Sequence, residues 1–297
     1  MEKILILLST YNGERYLPEL LSSLLEQTNV DLHVLIRDDG SKDNTVSYLK
    51  TIDDNRIEYY IGENKHAVGS FLELIQKASL NYDYYAFCDQ DDVWLKDKLS
   101  TAVCRLNKVE SKKPALYYSG QIITDADLNI LYKHNLDTKR SVKANCIFNQ
   151  MAGCTAVFNR ELLQYLKKYS PQNIYGHDVW CYRICAALEG NILVNSEGKI
   201  LYRQHGNNVV GIQNGLKGKW KTVCDYIFKY NASSYAKEIL NGYSDDLDAD
   251  WVDFFQNIAN ANTSFKARMN VLKDSEIVFN SSVLKMVFIA KVLLKKL

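Results

Sequence analysis

No apolar run in this 297-residue chain reaches the roughly 20 residues needed to cross a bilayer, so a membrane-spanning helix is not expected. The opening MEKILILLST turns polar at YNGE after one strand's length, and it reads as a buried first strand instead of a signal peptide. Net charge is also nearly absent. The 36 basic and 35 acidic residues leave a formal +1 and are interspersed, so extended nucleic-acid binding lacks the basic stripe it would need. The seven cysteines, Cys88, Cys104, Cys146, Cys154, Cys181, Cys185 and Cys224, form no CxxC pair. Their odd number and mostly apolar settings read as reduced core thiols of a cytoplasmic protein. Neither GxGxxG nor GxxxxGK[ST] occurs, which weighs against dehydrogenase and P-loop hydrolase chemistry. Internal repeats and low-complexity linkers are missing too.

What the chain does contain is alternation. KILILLS at 3–9 is an apolar strand-length run, and LPELLSSLLEQ behind it repeats Leu17, Leu20, Leu21, Leu24 and Leu25 at helical spacing after Pro18. LHVLI ends at Arg37-Asp38-Asp39-Gly40-Ser41, where Ser41 is expected to cap a helix through VSYLKTI. IEYYI leads through a polar loop at 63–69 into SFLELIQKAS; YYAFC enters the carboxylates at 89–92, and LSTAVCRLNKV resumes helical spacing. Repeated strand-then-helix units predict an α/β fold with a mostly parallel central sheet flanked by helices. From about residue 115 the expectation becomes two short strands joined near Gly120, helices in RELLQYLKKY and DVWCYRICAALEG, and a strand in KILYRQH. Beyond about 215, GKWKTVCDYIF, SYAKEIL, WVDFFQNIA and VLKMVFIAKVLLKKL are all helix-compatible. Residues 1–215 are therefore expected to form the α/β body and 216–297 a helical C-terminal appendage.

In parallel α/β folds the working loops lie beyond the carboxyl ends of the strands. STYNGE, RDDGSKDNT, ENKHAVG and DQDDVW all follow strands and would gather at that end. Asp89-Gln90-Asp91-Asp92 carries the strongest signal. Three carboxylates in four residues repel one another unless cations, donors or solvent compensate them, a natural setting for Mg²⁺ or Mn²⁺ bridging protein oxygens to substrate phosphates. An acidic helix start capped by Asp91 or Asp92 is an equal reading. Asp38 and Asp39 can accept hydrogen bonds from a base or a ribose, with Gly40 allowing close approach, although an Asp-Gly turn is the commoner use of such a pair. His177-Asp178 heads an apolar helix, where Asp178 suits acid–base work and helix capping equally. His205, ending a strand behind Arg203, can ligate a metal, though a lone histidine is more often structural.

Taken in order, STYNGERYLPELLSSLLEQT at 9–28, RDDGSKDNT at 37–45, the loop from Asn64 to Gly69, FCDQDDVWLKDKL at 87–99, AGCTAVFNRELL at 152–163, GHDVW at 176–180 and YRQHGNNVVG at 202–211 resemble the family 2 glycosyltransferases of GT-A fold. The match is strongest to their bacterial rhamnosyltransferase-like members and covers about the first 211 residues. The resemblance implies a nucleotide-sugar donor site made of Thr10, Tyr11, Asp38, Asp39, Asn64, Gly69, Asp89, Gln90, Asp92, Trp94 and Arg203. It further implies Asp91 and His205 as metal or diphosphate ligands and Asp178 as general base. Gly153, Cys154, Thr155, His177 and Trp180 would stand on the acceptor side; His177 replaces the glutamate usual before the basic aspartate. The implied reaction is one displacement with inversion, most simply from dTDP-β-L-rhamnose to an α-L-rhamnoside, with UDP-glucose, UDP-galactose or UDP-N-acetylglucosamine as other donors.

The final VLKMVFIAKVLLKKL carries Lys285, Lys291, Lys295 and Lys296 beside a wide apolar surface. Residues 283–297 are thus compatible with peripheral contact to an anionic membrane holding a polyprenyl-diphosphate-linked acceptor, and equally with packing on the body or on a second copy in a homodimer. Two rivals belong to other classes. A sugar nucleotidyltransferase would be expected to carry a glycine-rich phosphate loop where this chain has STYNGERY. A noncatalytic carbohydrate or scaffold module would use the carboxylates only as caps.

Overall fold

The computed structural model describes residues 1–205 and 231–297. The helix expected in GKWKTVCDYIF, the segment GNNVVG, Cys224 and the boundary expected near 215 lie outside the described residues. The chain divides into two compact units. One comprises Met1–Leu136, Met151–Ser170 and Gly190–His205; the other comprises Asp137–Gln150, Pro171–Glu189 and Gly206–Leu297. Two segments expected in the α/β body thus cluster with the C-terminal helices.

The first unit is built on β1 (Lys3–Thr10), α1 (Leu17–Leu25), β2 (Asp31–Asp38), α2 (Thr45–Leu49), β3 (Ile57–Ile61), α3 (His66–Lys77), β4 (Tyr84–Asp89), β5 (Val93–Trp94), α4 (Lys98–Leu106), β6 (Ala115–Thr124) and β7 (Ile130–His134), continuing after a gap with β8 (Val157–Asn159), α6 (Arg160–Lys168) and β9 (Asn191–Arg203). The strand order is β3-β2-β1-β4-β8-β6-β9-β5, with β7 pairing β6. The sheet is mixed where a mostly parallel one was expected. β3, β2, β1 and β4 run parallel, as do β6 and β9, whereas β8 pairs antiparallel to both β4 and β6, and β5 antiparallel to β9. Hydrophobic alternation does not distinguish the direction in which a buried strand runs, and the three-residue β8 is too short to register in it.

β1 is central, flanked by β2 and β4, and Ile4 to Leu8 are buried on both faces, as a covered parallel strand requires. Ile4, Ile6 and Leu8 share a core with Leu17, Leu20, Leu21 and Leu24 of α1. Chain order reverses direction across the sheet at β1, with β2 and β3 on one side and β4 on the other. Such a switch opens a crevice at the carboxyl ends of the two diverging strands, β1 and β4.

Several local expectations are corrected. Ser41 does not cap α2, which begins at Thr45; its hydroxyl and amide instead bond Asp38. The loop expected at 63–69 is helical from His66. The strands expected to break near Gly120 form one ten-residue strand, β6, because β9 runs alongside it with register shifts around Gly120. A side chain there would strike the Ser196 and His134 carbonyls. Cys104 is exposed, while Cys88, Cys146, Cys154, Cys181 and Cys185 are buried as expected of core thiols.

The second unit holds α5 (Val142–Ile147), α7 (His177–Ala187) and helices at Ala232–Tyr243, Ala249–Asn260, Phe265–Lys273 and Ser282–Leu293. Trp180 is its aromatic centre, packed near the rings of Tyr235 and Tyr243 and fully buried. Among the described residues no helix is long and apolar enough to cross a membrane.

Candidate active site

Parallel pairing places the carboxyl ends of β1, β2 and β4 side by side, with Ser9 level with Asp89 and Thr10 level with Asp38. The loops that leave these strands are tied together by side chains. Gln90 Oε1 accepts from the Thr10 hydroxyl at 2.6 Å and the Tyr11 amide at 2.8 Å, and its Nε2 donates to the Tyr11 carbonyl at 3.0 Å. Asn12 bonds the Ser41-Lys42 segment across the next gap: Asn12 N donates to Ser41 Oγ and Lys42 N to Asn12 Oδ1, each at 2.8 Å. The residues expected to form a donor site on these loops are therefore neighbours.

Asp38 is fully buried and accepts from the Gly40 and Ser41 amides and the Ser41 hydroxyl, the Asp-turn role that competed with ligand binding in the sequence. Gly40 supplies the positive φ of 79° that this turn requires. Asp39 is also buried, paired with the Arg37 guanidinium and accepting from the Lys65 amide at 2.8 Å. Arg37, which the sequence reading did not select, is fully enclosed; it also donates to the Glu63 carbonyl and pairs with Glu73. Asn64 is exposed on that loop, and Gly69 lies in α3 against Lys65.

The β4 loop meets the end of β9. Asp91 Oδ2 lies 2.8 Å from His205 Nε2, the two side chains being 16% and 13% exposed. They stand 114 residues apart in the chain. Tyr16 packs its ring 4.9 Å from the His205 ring. Arg203 staples the loop: its amide donates to Asp92 Oδ1, Nε to the Asp91 carbonyl at 2.9 Å, Nη1 to the Ala126 carbonyl and Nη2 to Glu19 of α1 at 2.5 Å. With its side chain 4% exposed and held by these partners, Arg203 acts as a fixed brace. Glu19 and Tyr16 were missed because nothing in or beside α1 announces partners far along the chain, at Arg203 and His205.

Asp92 is buried, and that burial, with Asp91 and Asp89 nearby, pushes its carboxyl well above the ordinary range. Asp89, Asp92 and Cys154 can bring ligating atoms within 4.8 Å of one another. The Cys154 thiol is held protonated by burial and by those same two aspartates, which suits a hydrogen bond to carboxylate better than ligation of an oxygen-preferring cation. Asp91 and His205, in direct contact, would offer a divalent cation a carboxylate oxygen and a ring nitrogen.

Trp94, expected in the donor site, is a core residue. It is 2% exposed, its amide held by Ser23 Oγ and its ring faced at 3.2 Å by the buried Lys98 ammonium, whose pKa burial lowers to about 8. Gly153, Cys154 and Thr155 form a buried 3₁₀ turn beside β4. In the second unit Trp180, expected on the acceptor side, is core as described above. His177 is buried, and that burial lowers its pKa to about 3, so it stays neutral in the folded state. Asp178 occupies the first turn of α7, where its Oδ1 accepts from the Val179 amide at 2.8 Å.

Residues 5–166 match the family model described as glycosyl transferase family 2. The chain belongs to that family and is a glycosyltransferase. It is similar to the dTDP-rhamnosyl transferase RfbG of Shigella flexneri, 33% identical over 80% of this chain and 85% of that protein. It is also similar to the UDP-Glc:alpha-D-GlcNAc-diphosphoundecaprenol beta-1,3-glucosyltransferase WfgD of Escherichia coli, 33% identical over 35% of this chain and 40% of that one. Among solved structures it resembles residues 1–349 of S. aureus TarS in complex with UDP-GlcNAc, with TM-score 0.57, 16% identity, and coverage of 99% of this chain and 82% of that one. At that identity the likeness concerns the fold.

Proposed function

We propose that this glycosyltransferase transfers L-rhamnose from dTDP-L-rhamnose, with inversion, to a hydroxyl of a bacterial surface-polysaccharide or lipid-linked oligosaccharide precursor, as in O-antigen, capsule or wall-polysaccharide assembly. The observation that carries the donor site is the approach of Asp91 and His205 to 2.8 Å across 114 residues of sequence. Rhamnose as the sugar is supported by the likeness to RfbG over most of both chains. UDP-hexose or UDP-N-acetylhexosamine is the second reading, supported by WfgD and by the UDP-GlcNAc named with TarS.

Asp91 and His205 would hold Mg²⁺ or Mn²⁺, which when bound neutralises charge on the leaving diphosphate. Thr10, Tyr11, Asp39 and Gln90 would orient the nucleotide from the joined loops, and Arg203 keeps the Asp91 backbone from shifting. Asp178 would take the proton of the attacking acceptor hydroxyl. The helix Ser282–Leu293 and the residues after it expose Val283, Met286, Leu293 and Leu294, a surface suited to shallow contact with the membrane that carries a polyprenyl-linked acceptor. Lys291 is buried and drops out of the basic set, leaving Lys285, Lys295 and Lys296.

The test is a donor screen with Mg²⁺ and with Mn²⁺, reading released nucleotide diphosphate and transferred sugar. Preference for dTDP-rhamnose is expected; preference for a UDP-hexose would replace the sugar assignment and leave the enzyme class untouched. Asp91→Ala is expected to abolish metal-dependent nucleotide binding, whereas Asp178→Asn is expected to bind donor normally and lose turnover at least a hundredfold.

A further inference from the structure

Tyr175 and Gly176 lead into α7, which carries Asp178 in its first turn, and the Tyr235 side chain holds them. The Tyr235 hydroxyl, from the helix Ala232–Tyr243, accepts from the Tyr175 and Gly176 amides, each at 2.8 Å, and donates to the Gly176 carbonyl at 3.2 Å. A phenol has one proton to give and room for two donors, so all of its capacity is spent on this loop. The ring is fixed in turn by Tyr175, edge-on at 4.7 Å, and by the Arg183 guanidinium over its face at 4.1 Å. Burial raises the Tyr235 pKa far beyond any working pH, so the proton that bonds Gly176 is never lost.

Gly176 adds a second, independent constraint. Its φ of −156° is extended backbone that any residue adopts, so the glycine is not needed for backbone conformation. A Cβ at this position would lie 2.5 Å from Asp178 Oδ1 and 3.3 Å from Val179 Cγ2. The space a side chain would fill is taken by the carboxylate itself. An atom at the end of a flexible side chain can move aside cheaply, so the substitution would displace the Asp178 carboxylate while costing the fold little.

We infer that Tyr235 and Gly176 are positioning residues for Asp178: the phenol fixes the loop backbone and the missing side chain leaves the carboxylate its place. This inference rests on the proposed role of Asp178 as base. It assigns a function to part of the C-terminal helical region that none of the family's motifs in this chain reaches.

The experiment compares wild type, Tyr235→Phe, Gly176→Ala and Asp178→Asn in the full chain. Tyr235→Phe keeps the ring contacts and removes three hydrogen bonds. It is expected to speed exchange of the Tyr175 and Gly176 amides about tenfold or more, a loss of at least one net hydrogen bond, and to lower kcat about tenfold with donor KM within about twofold. Gly176→Ala is expected to lower kcat by a similar factor at an unchanged melting temperature. Unchanged amide exchange in Tyr235→Phe would overturn the hold on the loop. Wild-type kcat in Gly176→Ala would overturn the claim that the carboxylate needs that space. Full turnover by Asp178→Asn would instead overturn the base reading itself, a result separable from the first because amide exchange does not depend on chemistry.

Discussion

His177 offers a measurement in which the structure sets both sign and size. The ring is buried at the start of α7 and its pKa falls to about 3, with burial as the cause. In the unfolded chain the same histidine titrates near 6.5, so below that pH the unfolded state binds a proton that the folded state refuses. Stability from this residue is therefore complete above about pH 6.5 and is lost as pH falls toward 3. Each pH unit across that window is worth about 1.4 kcal/mol, giving a loss of about 2 kcal/mol on going from about pH 7.5 to 5. Urea unfolding at those two pH values, for wild type and His177→Gln, isolates the effect, because the carboxylates titrate alike in both proteins. Tryptophan fluorescence is a suitable probe, since Trp180 lies one helical turn from His177 in the same core. Wild type is expected to lose about 2 kcal/mol more than the variant. Equal losses would mean that His177 accepts its proton while folded, and the burial argument would be refuted.

Arg203→Met should cost about 2–4 kcal/mol, because it strands the Asp91 and Ala126 carbonyls and releases Glu19, and donor affinity should fall with it; a thermal melt and a nucleotide titration check both. Gly120→Ala should be more damaging than its size suggests, about 3 kcal/mol or more, since the new Cβ would meet the Ser196 carbonyl at 2.3 Å and the His134 carbonyl at 2.5 Å, both backbone atoms that cannot swing away. A melting temperature within about 2 °C of wild type would contradict that.

Legibility in the sequence followed the range of the interactions. The β1–α1 unit could be read directly, because leucines at helical spacing behind an apolar run record a local burial pattern. The direction of β8 could not, since it depends on pairing with β4 and β6, strands far away in the chain. In the site, the carboxylates of DQDD and the strand-end His205 were visible by residue type, and their approach to 2.8 Å followed from the strand order. Trp94, Trp180 and Arg203 were assigned to substrate by the family resemblance alone. In the structure the first two fill cores and the third braces loops, distinctions made by burial and partners that a linear motif does not carry.

The helix bearing Asp178 draws its neighbours from beyond residue 230 as well as from earlier in the chain. Trp180 leans on Tyr235 and Tyr243, and the Tyr235 phenol holds the residues just ahead of the helix. Cutting the gene after codon 205, the natural edit for anyone wanting a minimal enzyme, would expose a bare indole and unhook that loop. Shortened versions would report aggregation and misfolding, so activity lost on truncation would say nothing about which glycan the missing part recognises.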